Sequence, residues 1–131
     1  MNARATLLTL VLSLFSVSLC YAADVNMGTW KLNEAKSKLV TGTAKNNTVV
    51  YSAAGDSIKV TVDGVDGAGK PTHNVWTGKF DGKDHAVTGD PTADTRMYKM
   101  VDDYTLELTG KKGGKTIATG RIVVATDGKS R

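Results

Sequence analysis

The chain has 131 residues, 17 Lys and Arg against 13 Asp and Glu, a formal charge of +4 and a single cysteine. That length carries one modest core and excludes a second domain. Its cations are scattered among aspartates, and the nearest approach to a cluster, Lys111-Lys112 before Gly113-Gly114, reads as a solvated turn. Nucleic-acid binding would need basic residues gathered on one face, so no nucleic-acid partner is expected.

Residues 1–22 read as a cleavable secretory signal. Met1-Asn2-Ala3-Arg4 is a basic lead and residues 5–19 are apolar and uncharged. This run falls short of the about 20 residues a bilayer-spanning helix needs. Small residues at Cys20 and Ala22 place cleavage between Ala22 and Ala23. Acylation of Cys20 would want a small residue before it, and Leu19 stands there. The polar Asp24-Val25-Asn26 speaks against a stop-transfer anchor, so no stable membrane insertion is expected after cleavage. The remaining domain, 23–131, is expected to be exported, in the periplasm or outside the cell. Loss of Arg4 takes the charge from +4 to +3, and the only cysteine leaves as well. The domain must therefore be held by burial and sheet hydrogen bonds, without disulfides.

From there the chain alternates apolar and polar residues in short runs, punctuated by Gly and Asp. Ile58-Lys59-Val60-Thr61-Val62-Asp63 and Tyr104-Thr105-Leu106-Glu107-Leu108-Thr109 are the cleanest cases. The pattern predicts strands over 29–32, 47–53, 57–63, 72–80, 85–88, 95–101, 104–111 and 116–125, with one helical turn within 33–38. Turn residues such as Gly55-Asp56, Asp81-Gly82, Asp102-Asp103 and Gly113-Gly114 recur about every ten residues, the spacing of sandwiches and barrels. Short connections favour an antiparallel up-and-down meander, and closing it into a barrel would remove exposed edges.

Alternation on 72–80 puts Asn74, Trp76, Gly78 and Phe80 on one side, the better interior. Tyr51, Val60, Tyr98 and Leu106 supply further lining, although Met97 and Val101 conflict with Tyr98 and call for either a bulge or another assignment of that face. Trp76, Phe80, Tyr98, Tyr51, Val60 and Leu106 are thus the candidate ligand-binding residues. A barrel of this size is either packed solid or hollow enough for one small ligand, and the residues leave both open.

No enzyme is expected. His73 and His85 fall on different strands, and Asp81 and Asp84 read as turn formers rather than metal ligands. No nucleophile elbow occurs, and the Gly-rich segment 64–71 lacks the Lys-Ser/Thr pair and following helix of a phosphate loop. No metal and no cofactor is implied.

Gly28-Thr29-Trp30, at the start of the first strand, resembles the opening Gly-x-Trp of lipocalins and fatty-acid-binding proteins, the up-and-down barrels grouped as calycins. The resemblance implies that Gly28 turns the chain under the barrel and Trp30 plugs one end. It also implies an arginine late in the chain over that tryptophan, for which Arg121 is the candidate. With the segments Lys79-Phe80-Asp81-Gly82-Lys83-Asp84 and Val87-Thr88-Gly89-Asp90-Pro91, most of the domain looks like a family of small exported bacterial lipocalin-like proteins. Members of that family continue past the final Asp-Gly-Lys turn, whereas this chain stops at Arg131. The resemblance therefore implies a truncated barrel. Fatty-acid-binding proteins hold a carboxylate with Arg-x-Tyr on their final strands, and the final two predicted strands here carry none. Too few residues separate Leu32 from Asn47 for the helical lid of those carriers.

The expectation is an all-β, lipocalin-like barrel binding a small lipophilic molecule, apolar or amphipathic. The alternatives are an envelope interaction module with a filled core whose loops 64–71 and 89–94 contact another envelope protein, or a fragment without activity of its own; pairing with a second copy through an open edge is open as well.

Overall fold

The computed structural model describes residues 25–39 and 42–131. The signal, its helix and the cleavage point between Ala22 and Ala23 lie outside the described residues. Eight strands follow in order: β1 (Gly28–Lys31), β2 (Lys45–Ala54), β3 (Ser57–Val65), β4 (Pro71–Gly78), β5 (Asp81–Thr88), β6 (Thr95–Asp102), β7 (Thr105–Lys112) and β8 (Lys115–Val123). Every strand pairs antiparallel with its neighbour in sequence. Short links leave sequential strands no other partner, which is why the meander forms. The helical turn in the β1–β2 link is a single 3₁₀ turn, Glu34–Lys36, whose preceding Asn33 side chain accepts the Lys36 N–H.

The sheet curls into a half-barrel rather than the closed barrel that edge protection favours. Among the described residues β1 is hydrogen-bonded to β2 alone and β8 to β7 alone. The nine-residue β8 has no matching length opposite it, since β1 has four residues. A space of about 1090 Å³ runs along this seam, lined by Trp30, Leu32, Ile122 and Val123.

The sheet is also thin between β4 and β5, where Val75 faces Thr88 and Trp76 faces Val87 and no further pair is in register. Here the sequence expectation needs correcting. The fourth strand ends at Gly78, not at Phe80, and Asp81-Gly82 opens β5 instead of forming the turn. The chain reverses at Lys79-Phe80, and Asp81 Oδ1 takes the Lys83 N–H where the β5–β6 register slips. Phe80 is thereby freed to fold under the sheet and stack on Trp76.

Alternation decides which residues are inside. Val49, Tyr51, Val60, Val62, Trp76, Val87, Tyr98 and Leu106 form one buried cluster, with Ala93 from the β5–β6 loop. The conflict around Tyr98 dissolves because β6 keeps regular register from Thr95 to Met100, with Met97 and Val101 on the other face, and its register slips only beyond, between Met100 and Asp102. Met100, two residues from Tyr98, packs against the core, and Val101 turns out to solvent at 48% exposure.

Candidate functional site

The two ends of the half-barrel are built differently. At the end carrying the β2–β3, β4–β5 and β6–β7 turns the interior is solid. Trp76, Val60 and Leu106 have no exposed surface. The Trp76 ring lies 4.7 Å from Tyr98 edge to face and 6.1 Å from Phe80 in a stack, and Phe80 lies 5.4 Å from Tyr98. The indole N–H donates to the Arg96 carbonyl at 2.8 Å, so burying it leaves no polar group unpaired. Gly78 makes the fit possible, because a Cβ there would stand 2.5 Å from the His85 ring and 2.8 Å from the Trp76 ring.

The opposite end, under the β3–β4 and β5–β6 loops, is hollow. A cavity of about 360 Å³ is lined by apolar Val49, Val62, Leu108 and Ile122 and by the polar groups of Asn74, Arg96, Tyr51, Tyr98 and Arg131. Val49, Leu108, Ile122 and Arg131 also line the seam, so the cavity and the open side adjoin at these side chains.

Two arginines reach this interior. Arg96 is 11% exposed, and its Nη2 donates to Asn74 Oδ1 at 3.1 Å and to Asp90 Oδ2 at 3.3 Å. Its Nη1 donates to Tyr98 Oη at 3.4 Å. Burial alone would raise the Asp90 carboxyl. The Thr92 hydroxyl and N–H on Oδ1, together with the Arg96 charge, outweigh it and hold Asp90 below the usual carboxylate range. Arg96 is therefore a neutralised strut between β4, β6 and the β5–β6 loop.

Arg131 is different. The chain turns back after β8, with the Ala125 N–H on the Ser130 carbonyl and the Gly128 N–H on the Ala125 carbonyl. This brings the Arg131 guanidinium 4.9 Å over the Trp30 ring and 5.0 Å over the Tyr51 ring. Nη1 donates to Tyr51 Oη at 2.9 Å, and no carboxylate of the described residues pairs with it. Burial pushes the Tyr98 phenol up, against the pull of Arg96, so that phenol keeps its proton.

Of the six candidate ligand-binding residues, only Tyr51 and Tyr98 line the cavity. Trp76, Phe80, Val60 and Leu106 belong to the solid end. Gly28, with φ of 113°, starts β1 opposite Tyr51, and the Trp30 indole donates to the Asn26 carbonyl at 2.8 Å. Arg121 does not take the place over Trp30. It points outward from β8 and pairs with Glu107 at 3.0 Å, its side chain 60% exposed, because it stands directly across from Glu107 on β7. Arg131 fills that position instead.

Arg96, Asp90 and Arg131 were missed as site residues. Arg96 was readable, since it precedes Tyr98 by two residues on an alternating strand and so shares its face. Arg96-Met97-Tyr98 is an Arg-x-Tyr, on the sixth strand rather than the last two. Arg131 was not readable, because its position depends on how the turn after β8 folds back. Among the described residues no three His, Cys, Asp or Glu side chains gather where they could hold a metal. Comparison with protein-family models, with curated proteins and with solved structures finds no match for this chain.

Proposed function

We propose that this is an exported, non-enzymatic binding protein of lipocalin-like design that takes a small apolar or amphipathic molecule into the hollow end of its half-barrel. The observation that carries the reading is the cavity of about 360 Å³ beside a solid aromatic floor. Ligand sites are concave, mostly apolar and furnished with a few converging polar groups, and about 300 Å³ is enough for a small molecule. The export half of the reading rests on the charge, length and cleavage residues of 1–22.

Native mass spectrometry of the protein recovered from an exported fraction tests both halves. The expected species starts at Ala23 and carries a small molecule that is lost on activation. A ligand-free protein that also fails to take up any of a panel of lipophilic probes would contradict the reading. The β8 edge, which among the described residues pairs with β7 alone, favours a second reading, an envelope module that recruits a protein partner by adding a strand. In the same spectrum that would show as a protein complex.

A further inference from the structure

The polar groups facing the cavity are not balanced between donors and acceptors. Asp90 and the Asn74 oxygen are already taken by Arg96. Tyr51 Oη accepts from Arg131 and Tyr98 Oη accepts from Arg96, which leaves each phenol its own O–H to give. Neither proton has an acceptor among the described residues, although Tyr51 and Tyr98 are each 3% exposed. Arg131 adds further N–H donors and a guanidinium that no side-chain carboxylate of the described residues pairs with. Tyr51, Tyr98 and Arg131 all line the one cavity, with Arg131 hydrogen-bonded to Tyr51. Around them the walls are the apolar side chains of Val49, Val62, Leu108 and Ile122.

From this donor surplus we infer that the ligand of the hollow end carries a carboxylate, received by Arg131 at the seam and by the Tyr51 and Tyr98 hydroxyls, with its apolar part against Val49, Val62, Leu108 and Ile122. The inference rests on the binding reading above. Oxygen acceptors satisfy donors that are otherwise left desolvated, and the guanidinium makes these hydrogen bonds charge-assisted. A cationic head group would meet the Arg131 guanidinium with like charge, and an alcohol offers one acceptor oxygen where a carboxylate offers two. Arg96 takes no direct part, since Asp90 already neutralises it.

Three probes of equal chain length separate the outcomes by titration calorimetry at neutral pH: octanoate, octanol and octyltrimethylammonium. Octanoate is expected to bind at least about tenfold more tightly than octanol, with the ammonium compound not bound. Arg131→Gln and Tyr98→Phe should each weaken octanoate by more than they weaken octanol and so narrow the gap between the two probes, with near-ultraviolet circular dichroism showing that each variant is folded. Equal binding of octanoate and octanol, preference for the ammonium probe, or variants that leave octanoate untouched would overturn the carboxylate inference while the cavity stands as a binding site. Binding of none of the three would overturn the binding reading itself.

Discussion

The solid end and the hollow end are cut from the same strands, yet they spend their side chains in opposite ways. β3 and β4 place Val60 and Trp76 toward the turns of the solid end, where Phe80 folds under them, and β6 sets Tyr98 at the boundary, its ring on Trp76 and Phe80 and its hydroxyl at the cavity. A few residues along, the same inward faces carry Val62, Asn74 and Arg96 around the cavity. Large aromatic rings interlocked at one end supply the stability. The other end is free to hold polar groups whose hydrogen bonds are only partly used. A curled sheet without closure can do this because its open seam, rather than a barrel mouth, gives access to the interior.

If that division is right, Trp76→Ala should do the most damage, since it empties the centre of the solid end. A loss of about 3–5 kcal/mol is expected in urea or thermal unfolding. A loss under about 1 kcal/mol would mean that the aromatic floor is not the main support. Gly78→Ala comes next, at about 1–3 kcal/mol, because the added methyl meets the rings of His85 and Trp76 rather than flexible chain ends.

Asp90→Asn probes the hollow end and should cost about 1–2 kcal/mol at neutral pH by leaving the Arg96 guanidinium without its counter-charge. The Asp90 carboxyl titrates lower in the folded protein than its ordinary value of 3.8. Its ionised form therefore contributes stability above that value, and the contribution fades as pH falls through the folded pKa. The gap between wild type and Asp90→Asn should accordingly narrow below about pH 4. A gap that stays constant would show that the Arg96–Asp90 charge pair carries none of it. The smallest effect is expected from Arg121→Ala, within about 0.5 kcal/mol, because its pair with Glu107 is exposed on the outer face.

Local alternation was enough to read all eight strands and the inward side of β4: β2, β3, β4, β6 and β7 each turn a face to the core, while β8, exposed along nearly its whole length, is marked by its turns. What escaped depends on contacts distant in sequence. Phe80 looks like the next inward residue of β4, and only the reversal at Lys79-Phe80 shows that it serves as a plug from the turn. Closure looked favourable from edge protection alone, but it needs β1 and β8 to match in length and meet, and they do not pair. Arg121 and Arg131 are both late arginines. Which one reaches Trp30 is decided by the Glu107 opposite Arg121 and by the fold-back through Ala125 and Ser130. Asn74 and Arg96 lay on faces already assigned to the interior, but a polar residue on an inward face reads as a liability until its partners are seen.

The most direct test of the division between the two ends is a backbone amide chemical-shift titration of the folded domain with octanoate. Amides along the hollow end, such as those of Asn46, Thr72 and Ala93, should shift in a saturable way, while those of Ile58, Phe80 and Met100 at the solid end stay in place. Shifts centred on the solid end, or none at saturating probe, would contradict the account.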